Sequence, residues 1–225
     1  MYEQIGFMGH LSGKVNAKIP ADMYIDVDDM NSQPISYTIT QATTGTWELD
    51  ADAENGVLSI DSNSTTEAQG LQFQKSLASF LPKADRNLWF EARVKVTGIT
   101  NLNAELFIGL AEIDSTVIAA SAVHTSNHIG FSSVTDDGVL LANAEKAGTG
   151  ATNTGVTIKA DTWYRLGFKV SGLTSVSFFV NDQYVSALPA ANIPIVVLAP
   201  TFVCQSGGTD QPVLHVDYVI CQQTR

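Results

Sequence analysis

Residues 88–98, LWFEARVKVTG, decide the fold, because apolar and charged side chains alternate there more regularly than anywhere else in the chain. The alternation has an apolar set and a charged set: Phe90, Ala92, Val94 and Val96 against Glu91, Arg93 and Lys95. Since successive side chains of a strand point to opposite faces, the pattern predicts a β-strand with one face buried and one face in solvent.

The same signals recur on the C-terminal side of this stretch. Residues 105–113, ELFIGLAEI, are almost continuously apolar, which predicts a central strand. Residues 162–172, TWYRLGFKVSG, alternate again. Residues 175–188, SVSFFVNDQYVSAL, predict a hairpin whose tight turn is Asn181-Asp182.

Further strands are predicted from short apolar or alternating runs: residues 57–60, 71–77, 128–134, 193–204 and 213–221. Residues 148–155, GTGATNTG, are predicted to be a small-residue loop. No span carries a 3.6-residue apolar stripe, so helix is not expected apart from a short turn around 76–84. Ten or more short strands predict an all-β chain, folded as a two-sheet sandwich or a barrel.

These strands, in this order, resemble the concanavalin A-like lectin and glucanase superfamily, the laminin-G type of jelly roll. That family has a W-Y-x-L/V-x-F/V strand followed by a hairpin of the form F-x-V-N-G. The matching residues are Trp163, Tyr164, Phe168, Phe179, Val180 and Asn181, while Asp182 replaces the common Gly. The resemblance covers about residues 46–221 and implies a two-sheet antiparallel jelly-roll sandwich.

The last predicted strand, VLHVDYVIC, carries Asp217-Tyr218 and leads into a polar tail that ends at Arg225. It resembles the closing strand of tailed-phage virion proteins that use this sandwich. In several such proteins the sandwich decorates or cements the capsid shell, and the resemblance implies that role here.

Residues 1–45 predict an extended N-terminal arm, and residues 46–225 the sandwich. The arm has scattered glycines and no sustained period. Its apolar side chains are the candidates for binding a partner: Tyr2, Ile5, Phe7, Met8 and Leu11. Residues 25–33, IDVDDMNSQ, are interpreted as a polar turn, because a calcium loop would require Gly at the position of Asn31 and Glu at the position of Tyr37.

Composition narrows the choice of partners. The formal net charge is -11, and no Lys/Arg cluster exists to displace counterions from a phosphate backbone, so nucleic acid is excluded as a partner. Only 16% of the residues are charged, which suits a protein that buries much of its surface against neighbours. Neither a signal peptide nor a membrane span is predicted. Cys204 and Cys221 are interpreted as buried free thiols, with a disulfide as the alternative.

Four acids recur at every second position in TWELDADAENG: Glu48, Asp50, Asp52 and Glu54. Glucanases of the superfamily carry Glu-x-Asp-x-x-Glu, or a form one residue shorter, on a concave strand. Glu48 and Asp50 begin that pattern, but its third acid would fall on Asp52 or Ala53. We therefore expect a solvated face that ends in a turn at Asn55-Gly56, and no catalytic residue.

Histidine gives no catalytic set either. His124 and His128 are four residues apart, which is no metal-ligand spacing outside a helix. His215 and Asp217 share one side of the last strand, and we expect them to form a surface or interface pair. No metal ligand and no cofactor are predicted.

Glycan binding remains the main alternative, since sugar sites on such sandwiches use aromatic platforms and Asn or Asp side chains. Trp47, Trp163 and Asn181 are the candidate glycan contacts, with Trp89 as a further aromatic. The preferred hypothesis is a non-enzymatic virion protein that is assembled in the host cytoplasm, binds the major capsid protein or another virion subunit, and forms a homo-oligomer such as a trimer. The other hypotheses are a carbohydrate-binding module, on a tail fibre or secreted, and a glycoside hydrolase.

Overall fold

The structure is a computed structural model, and five stretches of the chain are described: residues 22–50, 53–100, 103–119, 122–134 and 138–225. Strands form where apolar and polar side chains alternate. In β6 (Asn87–Thr97) every even-numbered residue is buried and every odd-numbered residue is partly exposed. The predicted pattern of this strand is confirmed.

Seventeen strands lie along the described residues, with a single turn of 3-10 helix, Ala190–Asn192, after the fifteenth. The strands are β1 (Met23–Asp28), β2 (Tyr37–Ala42), β3 (Thr46–Leu49), β4 (Leu58–Asp61), β5 (Gly70–Lys75), β6 (Asn87–Thr97), β7 (Ala104–Ala111), β8 (Ile118–Ala119), β9 (Ala122–Val123), β10 (His128–Ser133), β11 (Val139–Lys146), β12 (Thr149–Thr157), β13 (Trp163–Ser171), β14 (Ser175–Val180), β15 (Gln183–Pro189), β16 (Ala199–Ser206) and β17 (Val213–Thr224).

Two antiparallel sheets make up the body. The eight-stranded sheet has the order β15-β14-β13-β6-β17-β4-β3, and β1 also pairs with β17. The seven-stranded sheet has the order β12-β11-β10-β7-β16-β5-β2, with β7 at its centre. A two-sheet antiparallel sandwich was predicted, and it is confirmed, as is the central place of the strand in residues 105–113.

The hydrophobic core lies between the two sheets and is rich in phenylalanine. The rings of Phe90 and Phe168, on neighbouring strands of the eight-stranded sheet, stack with centroids 5.0 Å apart and planes 8° from parallel. Phe178 lies 5.9 Å from Phe168 and meets Phe131 of the opposite sheet edge-on at 5.4 Å. These contacts join the sheets at the middle of the sandwich.

Both cysteines are buried in this core and free. Burial raises the pKa of Cys204 to about 12, so this thiol stays protonated at neutral pH. The prediction of two buried free thiols is confirmed.

The structure corrects the prediction for residues 148–155: Gly148 lies in the turn after β11, and residues 149–155 form most of β12 and not a loop. β12 pairs along its length with β11, from Thr149 opposite Lys146 to Thr157 opposite Val139. Small side chains gave no apolar pattern to read, but an edge strand is held by backbone hydrogen bonds and needs no buried stripe.

Two other stretches also differ from prediction. Residues 193–198 precede β16 and contribute only an isolated bridge between Leu198 and Phe80, so the predicted strand of 193–204 starts later. Residues 25–28, assigned to a polar turn, belong to β1, where Asp26 pairs with Cys221.

The described part of the predicted arm contributes strands to both sheets. β1 pairs with β17, and β2 pairs with β5. The sandwich therefore includes residues N-terminal to position 46. The candidate partner-binding residues of the arm lie outside the described residues: Tyr2, Ile5, Phe7, Met8 and Leu11. In the described part of the chain, no helix has the length and hydropathy to cross a membrane.

Candidate functional site

The acidic stretch lies at one edge of the eight-stranded sheet. Glu48 is exposed on β3, while Trp47 and Leu49 pack against the core, with the Trp47 ring edge-on to Phe73 at 5.9 Å. Asp50 is also exposed, just beyond the strand. This alternation agrees with the expected solvated face.

A turn follows, as predicted. Asn55 and Gly56 have positive φ values of 69° and 89°, and the Gly56 amide donates to the carbonyl of Ala53 at 3.3 Å. Glu54 is exposed in this turn, and Asp52 lies outside the described residues. The acids are therefore split between a short strand and the turn after it.

A depression of about 430 Å³ lies beside Glu48 on the outer face of this sheet. It is lined by Thr46, Trp47, Glu48, Ser59, Asp61, Val213 and His215. Asp61 is engaged by its own surroundings: one carboxylate oxygen accepts the Asn63 amide at 2.6 Å and the Gln211 side-chain amide at 3.3 Å. The two carboxylates that line the depression, Glu48 and Asp61, are on neighbouring strands. The Asp61 carboxylate is bonded to the chain around it.

His215 lies at the floor of the depression between two hydroxyl groups. Its Nδ1 is 2.8 Å from Ser59 Oγ and its Nε2 is 3.0 Å from Thr97 Oγ1. Burial, and then the nearby Lys95 charge, lower the pKa of the imidazole. The ring is therefore neutral at pH 7, with one nitrogen donating and the other accepting. Both ring nitrogens are thus bonded to hydroxyl groups, and neither is bonded to the carboxylate that orients the imidazole in a Ser-His-Asp triad.

Asp217 does not complete this set. The pairing of β17 with β6 shifts register between Val216 and Tyr218, so Asp217 lies in a bulge. Its carboxylate forms an ion pair with Arg93. The predicted pairing of Asp217 with His215 is wrong, because the bulge gives each residue its own partners.

Tryptophan and basic side chains alternate along the outer face of the eight-stranded sheet. Arg93 and Lys95 lie 4.4 and 5.1 Å from the ring centroid of Trp163, and Lys169 lies 5.7 Å from that of Trp89. Cation–π contacts of this kind hold the rings and the charges in fixed positions. Trp163 thus faces outward, on a partly exposed surface.

The predicted hairpin turn is confirmed beside this surface. Asn181 and Asp182 both have positive φ values, 50° and 65°, as a two-residue turn requires. Asn181 Oδ1 accepts the Arg165 amide at 2.9 Å, and Asp182 forms an ion pair with the Arg165 side chain. The exposed Asn181 side chain is therefore occupied by the turn it stabilises.

The three candidate glycan contacts do not form one group. Trp163 and Asn181 both lie around Arg165 on β13 and the β14–β15 turn. Trp47 is on β3, four strands away across the sheet order, which is about 19 Å at the usual strand spacing. It also points toward the core.

The outer face of the seven-stranded sheet is covered at its centre by residues 112–119 and 122–127 of the chain itself. Val117 and Ile118 pack on Phe107 and Val203. We call this segment the strap. Gln72 and Gln74 are polar side chains on the same face of β5, and both are buried beneath the strap.

Glutamine side chains bind the strap to the sheet. Gln72 Oε1 accepts the Val117 amide at 2.9 Å, and Gln74 Nε2 donates to the Glu112 carbonyl at 2.9 Å. Gln74 Oε1 accepts the Asp114 amide at 3.0 Å. These side-chain hydrogen bonds hold the backbone of the strap against the sheet. The strap therefore covers this part of the outer face, and a large ligand cannot reach it.

Exposed aliphatic side chains gather at one end of the seven-stranded sheet. Eight large hydrophobic side chains are exposed among the described residues, and five of them lie in the loops at this end. We call these five the end patch: Ile35, Leu77, Ile113, Ile195 and Val197. Single exposed aliphatics are normal, and here five of them lie in neighbouring loops and form one apolar surface.

The loops that carry the end patch are joined to one another. The Ser76 amide donates to the Ser36 carbonyl at 2.9 Å, which links the segment after β5 to the segment before β2. The Leu198 amide donates to the Phe80 carbonyl at 2.7 Å, which adds the segment before β16. The strap, which carries the fifth side chain, is bound to β5 through Gln74.

No group of three or more His, Cys, Asp or Glu side chains suited to a metal ion occurs in the part of the chain that the structure describes. The sequence did not point to the strap, the end patch or the partners of His215. Each depends on segments far apart in the chain, and no local pattern signals them.

Solved structures of the same fold come from several kinds of protein. An endo-1,3-β-glucanase from Streptomyces sioyaensis is 12% identical, with 92% of this chain and 98% of that chain covered and a TM-score of 0.57. A β-glucanase from Bacillus licheniformis is 11% identical, with 89% and 98% covered and a TM-score of 0.59. At this identity the likeness shows the fold alone, and it confirms the concanavalin-like jelly roll.

A protein of unknown function, SO2946 from Shewanella oneidensis MR-1, is 15% identical over 100% of this chain and 95% of that chain, with a TM-score of 0.60. The curated proteins contain no match to this sequence. Residues 53–217 match the family described as "SO2946-like, C-terminal domain", which is well over half of the 225 residues. The chain therefore belongs to the family of SO2946-like C-terminal domains.

Proposed function

We propose that this chain is a non-enzymatic structural protein of a bacteriophage virion, assembled in the host cytoplasm, which decorates the outer shell of the capsid and stabilises it. The observation that carries the proposal is the end patch, an apolar surface on an otherwise closed sandwich. Apolar side chains exposed together favour a protein partner, such as the major capsid protein or another virion subunit.

The mechanism is burial of surface across the seams of a shell. Buried apolar surface contributes about 25 cal/mol per Å², and a standard interface buries about 800 Å² on each partner. The low share of charged residues, 16%, reduces the cost of desolvating such an interface. The residues 2–11 would anchor the body to a neighbouring subunit.

A non-enzymatic role is supported by the state of the candidate groups. Glu48 is exposed at a sheet edge, Asp61 is engaged by its own turn, and the strap covers the centre of the other sheet. A retaining glycosidase needs two facing carboxylates about 5–5.5 Å apart in a cleft. We expect that the chain releases no reducing sugar from β-glucans. A measurable rate of hydrolysis by the native chain that is abolished in Glu48→Gln would contradict this expectation.

The proposal is tested on phage particles from the source of this protein, which are purified by density-gradient centrifugation. The chain should co-sediment with intact particles, and a tagged chain lacking residues 2–18 should bind them at least tenfold more weakly. The full-length tagged chain is the control. Absence of the chain from purified particles, or unchanged particle binding and heat resistance after the deletion, would contradict the proposal.

A carbohydrate-binding module is the second candidate, favoured by the outward Trp163 with Arg93 and Lys95 beside it. A partly exposed indole is the platform on which sugar rings stack. If the chain binds glycans there, an array should give saturable hits that weaken at least tenfold in Trp163→Ala. Trp89→Ala, farther along the same face, is the matched control. An array without saturable hits would end this candidate.

A further inference from the structure

We propose that the end patch binds residues 2–11 of a second copy of this chain, so that copies associate by exchanging N-terminal segments. The inference rests on the proposed function, because it identifies the neighbour that the arm binds. It is argued from the chemistry of the patch, the chemistry of the segment and the place where the two meet.

The patch exposes five aliphatic side chains to water. Ile35 is 90% exposed and Leu77 79% exposed, and their loops are adjacent through the backbone bond of 2.9 Å between Ser36 and Ser76. Ile113 is 56%, Ile195 53% and Val197 48% exposed. Such side chains gain most when a partner removes them from water together.

Residues 2–11, YEQIGFMGHL, have the matching chemistry. Half of these ten residues are large and apolar: Tyr2, Ile5, Phe7, Met8 and Leu11. Glu3 is the single charged side chain among them at pH 7, with His10 taken as neutral. A segment of this composition is suited to binding an apolar surface and poorly suited to binding a charged one.

The chain enters the body at the end that carries the patch. The Arg225 amide donates to the Asp22 carbonyl at 2.6 Å, so the start of β1 lies beside the end of β17. Gln223 near that end accepts the Leu81 amide at 3.1 Å, and Leu81 belongs to the segment that follows Leu77. Asp22, where the described chain begins, therefore lies at the same end of the sandwich as the patch.

Every copy supplies one segment and one patch, so copies of this chain can exchange segments with one another. Residues 12–21 between them span at most about 35 Å when extended, which reaches an adjacent molecule of this size. Exchange of unlike surfaces is a head-to-tail contact, and such contacts close into a ring when the rotation allows. A small ring, such as the trimer expected from the sequence, would place the patch ends around one axis.

The test uses two variants, one that lacks a functional patch and one that lacks the N-terminal segment. The first variant keeps its N-terminal segment but carries Ile35→Glu with Leu77→Glu, and the second lacks residues 2–11 but keeps the patch. Sedimentation velocity should show the full chain at a multiple of 24.1 kDa and each variant alone at 24.1 kDa or slightly less. An equimolar mixture of the variants should form a one-to-one complex that grows no further.

Tyr184→Glu is the matched control, because Tyr184 is 60% exposed at the opposite end of the sandwich. It should leave assembly unchanged, while the double patch variant should weaken self-association at least tenfold. Circular dichroism checks that each variant is folded. A monomeric full chain, a patch variant that still assembles, or variants that fail to complement would each overturn the inference.

The inference and the proposed function can fail separately. A chain that binds phage particles but is monomeric in solution would contradict segment exchange alone. A chain that assembles and complements as described, but is absent from particles, would contradict the virion role alone.

Discussion

Replacing Phe168 by alanine should lower the free energy of unfolding by about 4 kcal/mol, within the range of 3–5 kcal/mol measured for buried Phe→Ala changes. Phe168 is fully buried on β13. Its ring stacks on Phe90 at 5.0 Å and meets Phe178 at 5.9 Å. The substitution removes the aromatic contacts and leaves a cavity where the sheets join, which the rigid β-strands cannot collapse to fill.

Urea unfolding followed by tryptophan fluorescence measures this loss. The matched control is Phe179→Ala, on β14, whose ring is only partly buried and meets Tyr184 at 5.9 Å. The control should cost clearly less, because Phe179 lies on the outer face of the sheet, where water can fill the space that the ring leaves. Equal losses in the two variants would mean that the stack is not the centre of the core.

The sequence predicted the sandwich because its central strands have two unlike faces. β6 and β13 each bury one face and leave the other partly exposed, and the Asn181-Asp182 turn has a sequence specific to its type. β12 was missed since an edge strand of small residues is specified by its neighbour's unpaired backbone and not by its own side chains.

The candidate site was less predictable than the fold. The exposed position of Glu48 follows from alternation alone. The partners of His215 do not, because Ser59 and Thr97 are 156 and 118 residues away in the chain. The burial of Gln72 could not be read from β5 either, since the strap that covers it begins about 40 residues later.

These differences bear on function. Function belongs to the site and not to the fold, and a sandwich of this kind can bind a ligand only where an outer face is free. Here the strap occupies the middle of one outer face, and paired charges such as Arg93 with Asp217 occupy the other. Five of the eight exposed large hydrophobic side chains among the described residues lie at the end of the body, which is why a protein partner is preferred over a substrate.

The strap should also make the protein sensitive to acid through His128, a second large effect. His128 lies beneath the strap, and its Nδ1 donates to the Thr125 carbonyl at 2.9 Å. Burial lowers the pKa of the imidazole from 6.5 to about 4, although the contacts with Thr125 and Asn143 oppose this shift. The ring is neutral in the folded protein down to about pH 4.

The direction of the effect follows from proton binding. Below pH 6.5 the unfolded chain takes up a proton on this imidazole while the folded protein does not, so acid favours unfolding. The contribution of the neutral His128 imidazole to the free energy of unfolding is complete above pH 6.5, and it is lost as the pH falls toward 4. At about 1.4 kcal/mol per pH unit, the loss between pH 7.5 and 4.5 is about 2–3 kcal/mol.

Free energies of unfolding at pH 7.5 and 4.5, compared between the native chain and His128→Gln, isolate this contribution from the carboxylates that titrate in the same range. Glu145 is among them, since burial and Glu112 raise its pKa. The variant should lose about 2–3 kcal/mol less than the native chain on acidification. His124→Gln is the matched control, because His124 is exposed on the strap, and it should behave like the native chain. If His128→Gln showed the same loss as the native chain, the imidazole would have to be accessible to protons in the folded state, and the strap could not be the firm cover that its glutamine contacts indicate.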